Sequence, residues 1–114
     1  MIRLSLRLQA DGCLRSFSAS GHAGSGPRGR DVVCAAVTVL LRTAARLLSA
    51  QPDLRVSGQE PAEGYLRLAL EPPAPARREW VRGVTDTLVA GLRDLDQEFP
   101  GRLKLEIGEE GNGT

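Results

Sequence analysis

Histidine occurs once in this chain, at His22, cysteine occurs twice, at Cys13 and Cys34, and aromatic side chains make up only 4% of the residues. Two cysteines are too few for a disulfide framework, and without a CxxC pair or a Cys/His cluster no zinc site is encoded. Both thiols are therefore expected to be reduced, and a reduced thiol can react. An excess of one charge is also missing: Lys and Arg number 15 against 14 Asp and Glu, a formal net charge of +1. That balance gives no field able to steer nucleic acid from a distance, so no direct nucleic-acid binding is required of the chain. The longest apolar run, VVCAAVTVLL, reaches ten residues before Arg42, about half of the roughly 20 that a membrane helix requires. No membrane span is expected. Arg3 and Arg7 interrupt the apolar residues of MIRLSLRL, which excludes the uncharged centre of a signal peptide and points to the cytoplasm.

What the chain does have is the make-up of a single domain over 1–114: 114 residues, 41% hydrophobic and 25% charged, can bury one core and not two. Ile2, Leu4, Leu6 and Leu8 alternate with polar residues at the period of a half-buried strand. Asp11-Gly12 signals a hairpin turn into a second strand, LRSFSAS, which leads to Gly21-His22. Asp31 then offers a helix N-cap ahead of Val33, Val37, Leu40, Ala44, Leu47 and Leu48 at helical spacing, and Pro52 stops that helix. Its first half is apolar around most of its circumference, so it needs cover on more than one side, with its own sheet and a second subunit as the candidates. LRVSGQ and GYLRLALE read as another strand pair, followed by PPAPA as a stiff link. Trp80, Val81, Val84, Leu88, Leu92, Leu95 and Phe99 trace a second helix that ends at Pro100-Gly101, and Arg77, Arg78 and Arg82 cluster at its start beside Glu79 as a solvated face, with contact to RNA or an acidic partner as the alternative. LKLEI is the last strand, with residues 109–114 expected as a frayed tail. The order ββαββαβ predicts an α+β fold, two helices packed on a mixed, largely antiparallel sheet.

The chemistry is concentrated in GHAGSGPRGRDVVCAAV, residues 21–37. GSGPRG fits the phosphate-binding pattern G-x-G-x-x-G, and GSGPRGRD nearly fits G-x-x-x-x-G-K-[ST]. In the second, Arg30 replaces the lysine and Asp31 puts a carboxylate where phosphate charge would lie, an arrangement that repels the ligand. The first follows a hairpin strand rather than a parallel one and has no acidic residue at the required distance. Cys34 offers a different reading. With Asp31 as N-cap it occupies the third helical position, where free backbone N–H groups and the helix dipole favour a thiolate, so a lowered pKa is expected. A histidine beside it could hold its proton and pass one to a leaving amine. His22 is the sole candidate, twelve residues upstream across a glycine-rich loop. Spacing leaves the alternative open, because a cysteine in an apolar helix also serves as a small core residue and a loop histidine as a surface group.

GHA, then Gly29, then D-V-V-C-A-A-V-T closely resembles the GHA…G-x-D-[IV]-V-C-A-A-[VS]-S signature of the ribosomal-processing cysteine protease family, Prp. The resemblance extends over the whole chain, including its element order. It implies a single cysteine-protease-like domain acting as a cytoplasmic endopeptidase that removes the N-terminal extension of a large-subunit ribosomal protein, as a homodimer and without metal or cofactor. Position by position, it makes Cys34 the nucleophile and His22 its catalytic partner. Asp31 matches the acidic residue before the helix, with either a capping or a His22-orienting role, and the cap is the simpler explanation. Thr38 stands where the family has serine, one turn beyond Cys34, and keeps a hydroxyl there. Gly21, Ala23, Gly24, Gly26 and Gly29 would form a substrate loop whose glycines permit movement and close backbone approach. The loop departs from the family in lacking an aromatic residue, which bears on substrate preference. Backbone N–H groups at the helix start, that of Cys34 included, are the expected oxyanion donors. The competing function is a non-catalytic ribosome-associated binding module on the same fold.

Overall fold

The computed structural model describes residues 1–21, 31–59 and 65–110. Strands β1 (Ile2–Leu8), β2 (Leu14–Ser20), β3 (Val56–Gln59), β4 (Tyr65–Leu70) and β5 (Leu103–Glu109) form one sheet in the order β3-β4-β2-β1-β5. Helix α1 (Val32–Ser49) follows β2 and helix α2 (Arg78–Glu98) follows β4. Pairing is antiparallel except between β1 and β5, which run parallel. The expected α+β arrangement of two helices on a mixed sheet is therefore the observed one.

Alternation decides which face of the sheet is dry. Ile2, Leu4 and Leu6 of β1 are buried while Arg3 and Arg7 are exposed, and Leu68 and Leu70 of β4 repeat the pattern. In β2 the buried residues Leu14 and Phe17 are three apart, which strict alternation forbids. The register against β1 shifts there, Arg7 pairing with Ser16 and Leu8 with Leu14. Arg15 is thus an extra residue that lets both apolar side chains face the core.

The helices close that core with stripes slightly different from those expected. In α1 the buried face is Val33, Val37, Leu41, Ala44 and Leu48; Leu40 is only half-buried and Leu47 is exposed. In α2 it is Val81, Thr85, Leu88 and Leu92, with Trp80 at the surface. Thr85 replaces the anticipated Val84 in the innermost row because its hydroxyl is used: it accepts the Leu14 N–H at 2.9 Å and donates to the Val81 carbonyl at 2.8 Å. The two helices approach closely at Gly91, where an added Cβ would come within 3.1 Å of the Leu40 side chain.

Three further differences from the sequence reading have local causes. PPAPA ends in a short 3-10 turn, Pro75–Arg77, that runs into α2 two residues ahead of Trp80. The last strand continues to Glu109, and Glu110 is held by its N–H to the Leu8 carbonyl at 2.7 Å and by an ion pair with Arg15, so the chain is tied down past the predicted fraying point. Finally, α1 is long and apolar enough overall to qualify as a membrane-crossing helix, Arg42 and Arg46 interrupting its apolar run without making it polar. Its buried stripe is instead a wall of the domain core.

Candidate active site

At one end of the sheet lie the end of β2 and the starts of β1, β4 and β5. Gly21 closes β2 with φ +91°, and a Cβ there would sit 2.5 Å from the Met1 carbonyl oxygen. Only glycine satisfies both conditions. Its requirement is thus explained by the turn out of the strand. His22, Ala23, Gly24, Gly26 and Gly29 lie outside the described residues.

The other three candidates come together on the first turns of α1. Asp31, in extended backbone conformation and 8% exposed, is the N-cap: its Oδ1 accepts the Cys34 N–H at 2.9 Å. The Asp31 carbonyl accepts the Ala35 N–H, which starts the helical ladder. One turn on, the Thr38 hydroxyl donates to the Cys34 carbonyl at 2.8 Å. Sequence spacing places all three on this turn because i, i+3 and i+7 share a helix face. The cap has a cost for the oxyanion expectation, since the Cys34 N–H is already taken. Val32 and Val33 hold the remaining first-turn donors.

The electrostatics also differ from the expectation of a lowered thiol pKa. Partial burial pushes the Cys34 thiol up, the Asp31 carboxylate adds to this, and the Thr38 hydroxyl opposes both. A negative cap three residues away offsets what the helix start provides, so the described surroundings do not by themselves produce a thiolate. Cys34 nonetheless differs from Cys13 in access. Cys13 is fully buried, with its thiol donating to the Arg78 carbonyl at 3.4 Å, and is pushed up to about 11 by burial and then by Asp11. Cys34 is half-buried at a helix start, so of the chain's two thiols it is the one a substrate can reach.

Between α1 and α2 runs an open, largely apolar groove of about 470 Å³, lined by Ala35, Ala36, Val39, Leu40, Gly91, Asp94 and Leu95; Cys34 is not part of its lining. Farther along the helices a groove of about 690 Å³ continues over Leu47, Trp80 and Val84. Among the described residues no three His, Cys, Asp or Glu side chains gather as a metal site.

This arrangement leaves the Cys34 thiol partly exposed at a helix start, and the comparisons with known proteins give the family and the fold. The model of the family described as cysteine protease Prp matches residues 1–104. The essential ribosomal processing protease Prp from S. aureus, solved with a covalently linked product peptide, superposes with a TM-score of 0.79 at 18% identity, covering 94% of this chain and 99% of that one. The same protease with a substrate peptide gives 0.73 at 17% identity, covering 94% and 99%. SMU.848 from Streptococcus mutans gives 0.77 at 29% identity, covering 96% of each chain. No curated protein sequence matches.

Proposed function

Because the chain belongs to the Prp family of cysteine proteases, we propose that it is the cytoplasmic endopeptidase that removes the N-terminal extension of a large-subunit ribosomal protein. The observation that carries this reading is the position of Cys34: accessible, on the first turn of a capped helix, in a chain whose other thiol is sealed in the core. The peptide complexes of the S. aureus protease on the same fold support a peptide substrate for it.

In the proposed reaction the Cys34 sulfur attacks the scissile carbonyl and forms a tetrahedral oxyanion. His22 takes the thiol proton beforehand and returns it to the departing amine as the C–N bond breaks. Water, deprotonated by the same imidazole, then hydrolyses the thioester and frees Cys34. The Val32 and Val33 N–H groups, left over by the Asp31 cap, are the oxyanion donors of this scheme. His22 has a second task. With burial and Asp31 both disfavouring the Cys34 thiolate, an imidazolium beside the sulfur supplies the compensating charge. Thr38 supports the turn through its bond to the Cys34 carbonyl. Neither metal nor cofactor is needed for any step.

A second copy of the chain completes the proposal as a homodimer. Val39 and Leu47 on α1 and Trp80 on α2 are 64%, 43% and 37% exposed around a continuous groove, an apolar surface of the kind that association covers.

The test is the intact mass of the same organism's extended ribosomal protein after incubation with this protein, beside a Cys34→Ala control. A discrete N-terminal loss produced only by the unmodified chain is the expected result. A folded, extended substrate that emerges whole would instead favour the binding-module reading.

A further inference from the structure

The sheet has a second face, opposite the helices, that the protease reading leaves unused. Its side chains form two rows across the strands by the observed register. Tyr65, Ser20, Arg3 and Lys104 make one row, and Arg67, Ser18, Ser5 and Glu106 the next. Beyond these, Ala69, Ser16 and Arg7 continue the pattern. The floor is therefore serine and alanine, and Arg3, Arg7, Arg67 and Lys104 stand exposed above it.

Charge is segregated here. Arg15, Arg55 and Glu71 border the face beside Ala69, with Arg15 paired to Glu110 and Arg55 to Glu71; apart from those two pairs the rows carry four cations and one anion, Glu106, whereas the whole chain has 15 cations and 14 anions. Lys104 lies 3.6 Å from Glu106, but among the described residues Arg3, Arg7 and Arg67 pair with no carboxylate. The arginines that stand out in the sequence behave oppositely. Arg77 pairs with Asp53, Arg78 with Asp11 and Arg82 with Asp86, so that cluster is largely neutralised by its own fold.

We propose that this serine-floored, arginine-bearing sheet face docks the phosphate backbone of duplex RNA. Strand spacing sets the four cations across about 14 Å by about 13 Å, a spread that matches the wide, shallow minor groove of an A-form helix. The serine hydroxyls between them can donate to and accept from 2′-hydroxyls and phosphate oxygens. Tyr65 is the one aromatic residue on the face, so there is no platform for stacking splayed bases. Leu, Ile, Phe and Trp are absent from these rows, so nothing is there to enter a lipid surface. The binding does not depend on the protease reading and involves none of its residues.

Fluorescence anisotropy with a labelled RNA duplex of about 16 base pairs tests this. Three phosphate contacts predict binding that weakens about 40-fold between 50 and 200 mM salt. Arg7→Glu with Arg67→Glu is expected to weaken it at least tenfold further while peptide cleavage by the same preparation stays unchanged. Arg46→Glu with Arg93→Glu, an equal charge change on the helical side, is expected to stay within twofold of the unmodified protein. If the doubly reversed variant fails to fold, Arg7→Gln with Arg67→Gln replaces it, with the same order expected. Absence of binding at 50 mM salt, equal loss in the helical-side variant, or equal affinity for a B-form DNA duplex or for phosphatidylserine vesicles would each overturn the assignment.

Discussion

Asp31 and Cys34 are bound to one another and electrostatically opposed: the carboxylate that accepts the Cys34 N–H at 2.9 Å also disfavours the Cys34 thiolate. Helix stability and formation of the Cys34 thiolate therefore pull on the same side chain. Asp31→Asn separates them, because asparagine caps as well as aspartate but carries no charge. The expected outcome is a lower Cys34 pKa, read as faster alkylation by iodoacetamide at neutral pH, with thermal stability nearly unchanged. Asp31→Ala is expected to cost about 1 kcal/mol through the lost cap.

His22→Ala tests the source of activation. Without an imidazolium, Cys34 should titrate above its ordinary value of 9.0, as burial and Asp31 dictate. Since the thiolate is the reacting form, alkylation in this variant should rise with pH only in the alkaline range, and peptide cleavage should be lost. An unmodified protein whose Cys34 reactivity follows the same alkaline curve would remove His22 from the mechanism.

Cys13 predicts a pH dependence of stability. Its folded pKa of about 11 lies above the ordinary 9.0, so the folded state holds the proton more tightly than the unfolded state. The associated stabilisation is complete below about pH 9 and is lost as pH rises toward 11. Its size is on the order of 2 kcal/mol. Thermal melts of the unmodified protein and Cys13→Ala from pH 8 to 11 should therefore converge as the pH increases.

Thr85→Val should destabilise the domain although it is isosteric and more apolar. It leaves the buried Leu14 N–H without its acceptor at 2.9 Å, a loss of about 1–3 kcal/mol. Urea denaturation measures it directly. Thr85→Ser, which keeps the hydroxyl, should recover most of the loss.

Val39→Asp addresses the proposed dimer. Val39 is 64% exposed, so the charge costs a monomer little, but in an apolar interface it would be buried unpaired. Sedimentation should show a dimer for the unmodified chain and a monomer for the variant, with the melting temperature of the variant no longer dependent on concentration.

Much of this protein could be read from its residues in order. The alternation of Ile2, Leu4 and Leu6, the turn at Asp11-Gly12, the cap at Asp31 and the stop at Pro100-Gly101 are local signals, each acting within a few residues, and each element they announce is present. The proximity of Asp31, Cys34 and Thr38 was legible for the same reason, since helical spacing alone brings them onto one turn. Tertiary structure decided what depends on residues far apart in the chain. Thr85 belongs in the core because Leu14, 71 residues away, needs an acceptor. Arg15 bulges out of β2 because β1 pairs on either side of it. The Cys34 thiol feels a burial that the core imposes, against the helix-start effect that its position suggests. Charge follows the same division: a near-neutral composition conceals a face where strand register gathers Arg3, Arg7, Arg67 and Lys104, while the arginines adjacent in sequence are paired off by the fold. Local chemistry chose the elements, and long-range pairing chose what each side chain would face.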